Sequence, residues 1–286
     1  MRTKPAVAVL AVILATAMLA PATHAQLKLP RVSPAATVTQ SIGLTDVTVS
    51  YCRPGVKGRV IWGGLVPYDE PWRTGANEAT RFTTTDPIQF GGKELAAGTY
   101  SLFTIPGKDE WIVVINSEKD LWGAYEYKPE KDVLRVTVKP AAAEPQEWME
   151  LSFEDLTPSS ANLVLRWEKL RVAVPIGVDA NGKTLAGARA AIEAMKSDDW
   201  RTPYQAASFC FTNDVALEEG WKWLEKSLGV QQTYQNLGLQ ARWQMKQGKK
   251  ADALKTADKA LEAAKASKDK VDTSALEKLM AEWKAK

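Results

Sequence analysis

The hydrophobic pattern of this chain changes its period once, and that change limits the folds available to it. From about residue 37 to 178, β-branched and aromatic residues alternate with polar ones, as in half-buried β-strands. After a turn-forming segment at residues 179–182 the period becomes 3.6, and alanine, leucine, lysine and glutamate predominate. The pattern predicts a mainly β domain followed by an α-helical domain.

The first of these regions contains strand patterns and no helical pattern between them. About nine runs alternate in this way, and they cover residues 37–41, 46–51, 80–85, 99–105, 111–116, 133–138, 148–153, 162–167 and 171–175. Two hairpins are also recognisable, one at Gly91-Gly92 and one at residues 106–109. Strands that follow one another without crossover helices favour antiparallel pairing. We therefore expect an antiparallel β-sandwich, jelly-roll-like, over residues 26–180.

The second region predicts an α-helical domain over residues 181–286. Its first helix has an apolar face formed by Leu185, Ala188, Ile192 and Met195, and further helices are expected at 203–211, 215–228, 233–247, 249–266 and from 274 onwards. Residues 235–264 are typical of a tetratricopeptide-like hairpin, and a shift of about 33 residues aligns Trp221 with Leu254. Such a repeat and an antiparallel bundle both fit the pattern.

The first 25 residues predict export. Arg2 and Lys4 precede an apolar run at residues 6–20, and the small residue Ala25 follows, which is typical of a secretory signal peptide cleaved near Ala25. The run is shorter than the ~20 residues that a membrane-spanning helix needs, and no later segment approaches that length. We expect a periplasmic or secreted protein with no membrane span after cleavage.

Cleavage at that point would remove His24, which is the chain's single histidine. Catalysis by Ser-His-Asp or Cys-His groups and metal sites with histidine ligands would then be excluded. Cys52 and Cys210 are too few for a zinc site, and their spacing leaves open whether they form a disulfide or remain thiols.

Other classes of function are excluded by motif and by charge. The chain has no phosphate-binding or dinucleotide-binding glycine motif. Its formal charge of +3 falls by two when Arg2 and Lys4 are removed with the leader. The small net positive charge that remains does not produce a field over the whole protein that would attract nucleic acid. We expect no cofactor, no metal and no nucleic-acid partner.

Charged and aromatic residues concentrate in a long irregular segment between two predicted strands, where connections are usually short. The candidate ligand-binding residues of this segment are Arg53, Lys57, Arg59, Trp62, Trp72, Arg73, Thr74, Asn77 and Glu78. Its cations could receive a carboxylate, a phosphate or a sulfated sugar through forked hydrogen bonds, with Trp62 or Trp72 as a stacking wall. Alternatively, Arg53 and Arg73 pair with Glu78 and Asp69 and hold the segment against the sandwich.

Motifs in this region carry a resemblance to a known family. They are Tyr51-x-Arg53-Pro54-x-Val56-Lys57-Gly58-Arg59, Gly64-Leu65-Val66-Pro67-Tyr68, the run from Trp72 to Thr80, and Ala97-Gly98-Thr99-Tyr100-Ser101-Leu102-Phe103, with Trp122-Gly123-Ala124-Tyr125 further on. Together they resemble the bacterial exported family called domain of unknown function 2911, over about residues 33 to 174. The resemblance implies a fold and a compartment but no reaction. At Cys52 the family more often has serine, which implies that Cys52 is not a required nucleophile.

Some of these residues have a structural explanation. Gly98 allows a tight entry into a strand, and Tyr100 can pack across the sheet edge with its hydroxyl group reaching the backbone. Trp62, Trp72 and Trp122 lie in predicted loops, where their rings could stack on sugars. Calcium is disfavoured near Glu78 because cations interrupt the acidic residues.

Three functions remain open. The first, which we favour, is an exported envelope protein that binds a small anionic or saccharide ligand and docks a protein partner through its helical domain. The second is a histidine-free hydrolase of envelope saccharides, in which Glu78 is the general acid or base and Asp69 or Glu70 its partner. The third is a structural scaffold. A carboxyl group with a raised pKa would favour the enzyme, whereas an arginine-lined cleft would favour binding.

Overall fold

A computed structural model describes residues 29–268 and 270–285 of the chain. The predicted signal peptide, its cleavage point near Ala25 and His24 lie outside these residues. The described part folds into ten β-strands followed by six α-helices, which confirms the predicted order of a β region before an α region.

Two antiparallel sheets form the β region. Its strands are β1 (Ala35–Ile42), β2 (Thr45–Cys52), β3 (Thr80–Thr84), β4 (Ile88–Phe90), β5 (Lys93–Leu95), β6 (Gly98–Pro106), β7 (Trp111–Asn116), β8 (Asp132–Val138), β9 (Ala141–Glu154) and β10 (Ser160–Gly177). One sheet has the order β1-β2-β3-β6-β7-β8 and the other the order β5-β4-β10-β9. Most neighbours in the first sheet are consecutive in the chain, so it is largely a meander.

The two sheets pack face to face around one hydrophobic core. In β2, Val47 and Val49 are buried, whereas Asp46, Thr48 and Ser50 face outward, as the period of two requires. These valines belong to the same buried cluster as Leu163 and Val174 of β10, which is in the other sheet. A core shared by two sheets is the arrangement of a β-sandwich.

The last strand differs from its prediction. Residues 162–167 and 171–175 were expected to be two strands, but both belong to β10. The pairing of β10 with β9 shifts register on both sides of Glu168, whose φ is 57°. Such a bulge interrupts the alternation of side chains while the strand continues, which explains why the sequence pattern divides it.

The helices are α1 (Ala180–Ala194), α2 (Arg201–Asn213), α3 (Leu217–Val230), α4 (Tyr234–Lys246), α5 (Lys250–Ala266) and α6 (Ser274–Ala285). Helix α1 begins inside the segment that was expected to be a turn, because the Asp179 side chain accepts a hydrogen bond from the Gly182 amide and caps the helix. None of the helices in the described ranges combines the length and the hydropathy that a membrane span requires.

Consecutive helices pack as hairpins, α2 with α3 and α4 with α5. Helix α4 takes part in two cores, since Leu239 and Trp243 pack towards α2 and α3, and Leu237 and Ala241 pack towards α5 and α6. This arrangement agrees with a bundle of helical hairpins, and a true repeat stays a prediction. At the junction with the β region, the ammonium group of Lys183 donates to the Leu44 carbonyl at 2.6 Å.

Both cysteines are free and buried. Cys52 ends β2, and Cys210 lies in the core of the helical region. The disulfide that the sequence left open is therefore absent from the described structure.

The thiols provide a direct test of this arrangement. The protein denatured without reductant should titrate as two thiols with Ellman's reagent, because Cys52 and Cys210 are both free. In the native state both should react slowly, because buried thiols are poorly accessible. A titration that finds no thiol before reduction, and two after it, would contradict the structure.

Candidate functional site

The irregular segment between β2 and β3, residues 53–79, is anchored in the core by its tryptophans. Trp62 packs against Trp111 of β7 and Trp167 of β10, and Trp72 packs against Trp167 and Trp62. The ring centroids of these pairs are 4.9 to 6.0 Å apart. We call these four residues the tryptophan cluster. Because β7 and β10 belong to different sheets, the segment is attached to both.

Backbone hydrogen bonds attach the same segment to two strands. Trp72 exchanges both of its backbone hydrogen bonds with Thr104 of β6, at 2.7 and 2.9 Å. The Val56 amide donates to the Glu147 carbonyl at 2.8 Å, and the Met149 amide donates to the Pro54 carbonyl at 3.0 Å. A connection of this length is thus ordered by pairing with β6 and β9.

A strained turn at residues 74–77 places the next side chains. Thr74 and Asn77 have φ of 54° and 58°, and a β-branched residue at positive φ is an outlier. The strain is held by the Thr80 hydroxyl, which donates to the Thr74 carbonyl at 2.7 Å, and by the Trp72 indole, which donates to the Gly75 carbonyl at 3.1 Å. A strained backbone conformation persists only where surrounding contacts hold it in place, and such conformations are concentrated at functional sites.

Gly75 is required by close packing in this turn. A Cβ atom at this position would lie 2.9 Å from the Cys52 carbonyl oxygen. The turn therefore lies directly against the end of β2, and this contact brings Glu78 to the Cys52 side chain.

A cavity of about 330 Å³ lies on one side of this turn, and we call it the cationic cavity. It is lined by Val32, Ser33, Pro54, Gly55, Lys57, Arg59, Leu65, Val66, Trp72, Arg73, Gly75, Ala76, Asn77 and Trp167. Three of the described lining residues are cations, and none is acidic. The volume falls within the usual range for small-molecule sites.

The cations of this cavity have no acidic partner among the described residues. Arg59 donates to the carbonyl oxygens of Val56 and Gly55, and the Lys57 ammonium lies 5.5 Å from the centre of the Trp148 ring. The Nε atom of Arg73 is buried and has no hydrogen-bond partner in the structure. A buried donor that is left unpaired costs about 1–3 kcal/mol, and more when it is charged.

A second cavity of about 370 Å³ lies on the other side of the turn, and we call it the mixed-charge cavity. It is lined by Arg31, Ala35, Ala36, Thr37, Ser50, Tyr51, Cys52, Glu78, Ala79, Arg81, Lys119, Asp120, Leu121 and Trp122. Arg31 forms an ion pair with Glu78 at 2.8 Å, and Arg81 forms one with Asp120. The Cys52 thiol donates to the same Glu78 oxygen at 3.5 Å.

The ion pair with Arg31 favours the ionised form of Glu78. The Arg31 guanidinium donates a hydrogen bond to the Glu78 carboxylate and lowers the pKa of that carboxyl group. A general acid has to be protonated at the working pH, which the lowered pKa opposes. Asp69 and Glu70 are exposed and line neither cavity, so the structure does not place the expected second carboxylate beside Glu78.

The sequence-predicted residues thus divide into three groups. Lys57, Arg59, Trp72, Arg73 and Asn77 line the cationic cavity, and Glu78 lines the mixed-charge cavity. Arg53, Trp62 and Thr74 line neither.

The residues outside the cavities have structural contacts. The Arg53 side chain donates to the Met149 carbonyl at 2.7 Å, and the Thr74 hydroxyl donates to Thr104 at 3.1 Å in the interior. Trp62 belongs to the tryptophan cluster.

The alternative pairing within the segment is not observed. Glu78 pairs with Arg31 rather than with Arg53 or Arg73. The Nη2 atom of Arg53 lies 3.9 Å from the Oε1 atom of Glu150. The reason is that Arg31 and Glu150 come from distant parts of the chain, and the fold brings them closer than the acids and bases of the segment itself.

Sequence reasoning missed several residues of the mixed-charge cavity. Arg31 lies before the first strand and carries no local signal. Cys52, Lys119 and Asp120 were also absent from the candidate set. Trp122, by contrast, was identified from the sequence as a loop tryptophan that could stack on a sugar, although it was not among the candidate residues of the irregular segment.

Together these features define an antiparallel β-sandwich protein with a helical C-terminal region and two ligand-sized cavities beside one irregular segment. The chain belongs to the family described as "Protein of unknown function (DUF2911)", whose model matches residues 33–176. The match begins before β1, covers every strand except the last residue of β10, and ends before α1. No curated protein and no solved structure matches the chain.

The tryptophan cluster leads to a stability prediction. Trp72→Ala should lower the free energy of unfolding by about 3 kcal/mol or more, because it leaves a cavity in the core. Trp122→Ala should cost less than about 0.5 kcal/mol, since this side chain is 59% exposed. Urea denaturation followed by circular dichroism measures both. Equal costs for the two variants would show that the segment is not held by its tryptophans.

Proposed function

We propose that the protein is exported to the periplasm or secreted, and that it binds a small anionic ligand in the cationic cavity. The observations that carry this proposal are a cavity that three cations and no described acid line, and the buried Nε atom of one of those cations, Arg73, which has no hydrogen-bond acceptor. Export is supported by the N-terminal leader pattern, with its basic start, apolar run and small residue at Ala25.

The chemistry of the lining residues favours a carboxylate, phosphate or sulfate group. A guanidinium presents parallel N–H groups that match two oxygens of such an anion, and Lys57 adds a compact positive charge. An anion at Arg73 would satisfy the unpaired donor and recover the cost of burying it. Because positively charged residues line this cavity and no described acid does, it favours an anion over a neutral ligand.

The walls of the cavity favour a ligand that also has a flat or apolar part. Trp72 and Trp167 line it but are almost fully buried, so the apolar surface that a ligand could cover comes mainly from Val32 and Leu65. Binding pockets commonly combine such apolar walls with a few placed polar groups. This combination supports an organic anion rather than a bare inorganic ion.

The two alternatives have less support. A hydrolase with Glu78 as general acid needs that carboxyl group protonated, whereas Arg31 lowers its pKa. A pure scaffold would not require an unpaired buried guanidinium nitrogen beside a cavity. Docking of a protein partner by the helical region stays a prediction from the sequence.

A thermal-shift screen of the mature chain, residues 26–286, tests the proposal. The probes are inorganic phosphate, sulfate, citrate, glucuronate and glucose 6-phosphate. A ligand at 100 times its dissociation constant adds about 2.7 kcal/mol of stability, which should raise the melting temperature by several degrees. Arg73→Gln should remove at least half of the shift, and Lys57→Gln should reduce it.

Arg53→Gln is the matched control, because it removes one positive charge from the same segment but does not line the cavity. Each variant is compared with its own ligand-free melting temperature, so a change in basal stability does not affect the result. The proposal is wrong if no probe shifts the wild-type protein. It is also wrong if Arg73→Gln and Arg53→Gln retain equal shifts.

A further inference from the structure

The mixed-charge cavity is built on the outer face of the six-stranded sheet. Thr37, Ser50 and Arg81 occupy paired positions on β1, β2 and β3, and all three line the cavity. Their neighbours Val49 and Phe82 point the other way, into the sandwich core. The cavity floor is therefore formed by rigid strands and lies outside the core.

One wall of this cavity is an exposed tryptophan in an ordered position. The Trp122 side chain is 59% exposed, although most tryptophans of the described chain are buried or half-buried. Its backbone is fixed, because the Ala79 amide donates to the Leu121 carbonyl at 2.9 Å and the Gly123 amide donates to the Asn77 carbonyl at 3.0 Å. The chain thus holds a large apolar ring in water beside a cavity, where a ligand that covers the ring would gain from its burial.

The polar lining of the mixed-charge cavity differs from that of the cationic cavity. Arg31 pairs with Glu78, and Arg81 pairs with Asp120, so most of the charge is compensated and Lys119 is the remaining cation. Each pair sets hydrogen-bond donors next to acceptors. A hydroxyl group both donates and accepts, so neighbouring hydroxyls on a ring match such a lining better than an ion does.

We infer that the mixed-charge cavity is a second ligand site, which binds a neutral pyranose sugar. The apolar face of the sugar ring stacks on Trp122, and its hydroxyl groups bond to Glu78, Arg81 and Asp120. The inference goes beyond the proposed function, because it uses different residues and a different class of ligand. The volume of about 370 Å³ accommodates a monosaccharide.

Saturation-transfer difference NMR on the mature chain tests this inference. The probes are methyl β-glucopyranoside, methyl β-galactopyranoside and N-acetylglucosamine, each at about 10 mM, a concentration that detects millimolar dissociation constants. At least one probe should receive saturation, and isothermal titration calorimetry then gives its dissociation constant. Trp122→Ala should weaken that binding by tenfold or more, and Asp120→Asn should weaken it to a smaller extent.

Tyr125→Ala is the matched control for Trp122→Ala. Tyr125 is 86% exposed and lies in the same loop, but it does not line the cavity, so its removal should leave sugar binding unchanged. Circular dichroism of both variants checks that the fold is retained. Arg73→Gln, which alters the cationic cavity, should also leave sugar binding unchanged, and this separates the present inference from the proposed function.

Three results would overturn the inference. They are the absence of transfer to every probe, equal binding by Trp122→Ala and Tyr125→Ala, and loss of sugar binding in Arg73→Gln. The last result would place the sugar in the cationic cavity.

Discussion

The tryptophan cluster holds together parts of the molecule that are far apart in the chain. Trp111 and Trp167 come from different sheets, and Trp62 and Trp72 come from the irregular segment between β2 and β3. Because Trp72 and Trp167 also line the cationic cavity, the wall of that cavity is part of the core. The indole of Trp72 bonds to the strained turn through Gly75, so the turn and both cavities depend on this cluster.

Two charged residues of the irregular segment, Glu78 and Arg53, lie against charged residues from outside the segment. Arg31 takes Glu78 as its partner, and Glu150 lies nearest to Arg53. As a result, one side of the turn has compensated charges and the other has cations without acids. An Arg73–Glu78 pair would have placed Glu78 among the cations and left the two sides with similar net positive charge. The position of Arg31 before β1 therefore keeps Glu78 away from the cations of the cationic cavity.

The fold was more predictable from the sequence than the site. Alternation and helical period identified the strands and helices because burial acts on each element locally, and the Tyr100 hydroxyl does donate to a backbone carbonyl, that of Ala96, at 3.0 Å. The bulge at Glu168 was missed because alternation breaks there while pairing continues. Lys57, Arg59 and Arg73 were identified by their charge within one segment. Arg31 was not, because only the tertiary fold brings it to Glu78.

The lowered pKa of Glu78 is an argument for recognition rather than catalysis at the mixed-charge cavity. The carboxylate accepts hydrogen bonds from the Arg31 guanidinium and the Cys52 thiol, and the Arg31 contact is the main cause of its lowered pKa. A lowered pKa makes this group a weaker base for the thiol and deprives it of the proton that a general acid needs. The same ionised carboxylate remains a strong hydrogen-bond acceptor. Its geometry and charge therefore suit a residue that orients a hydroxyl group rather than one that transfers a proton.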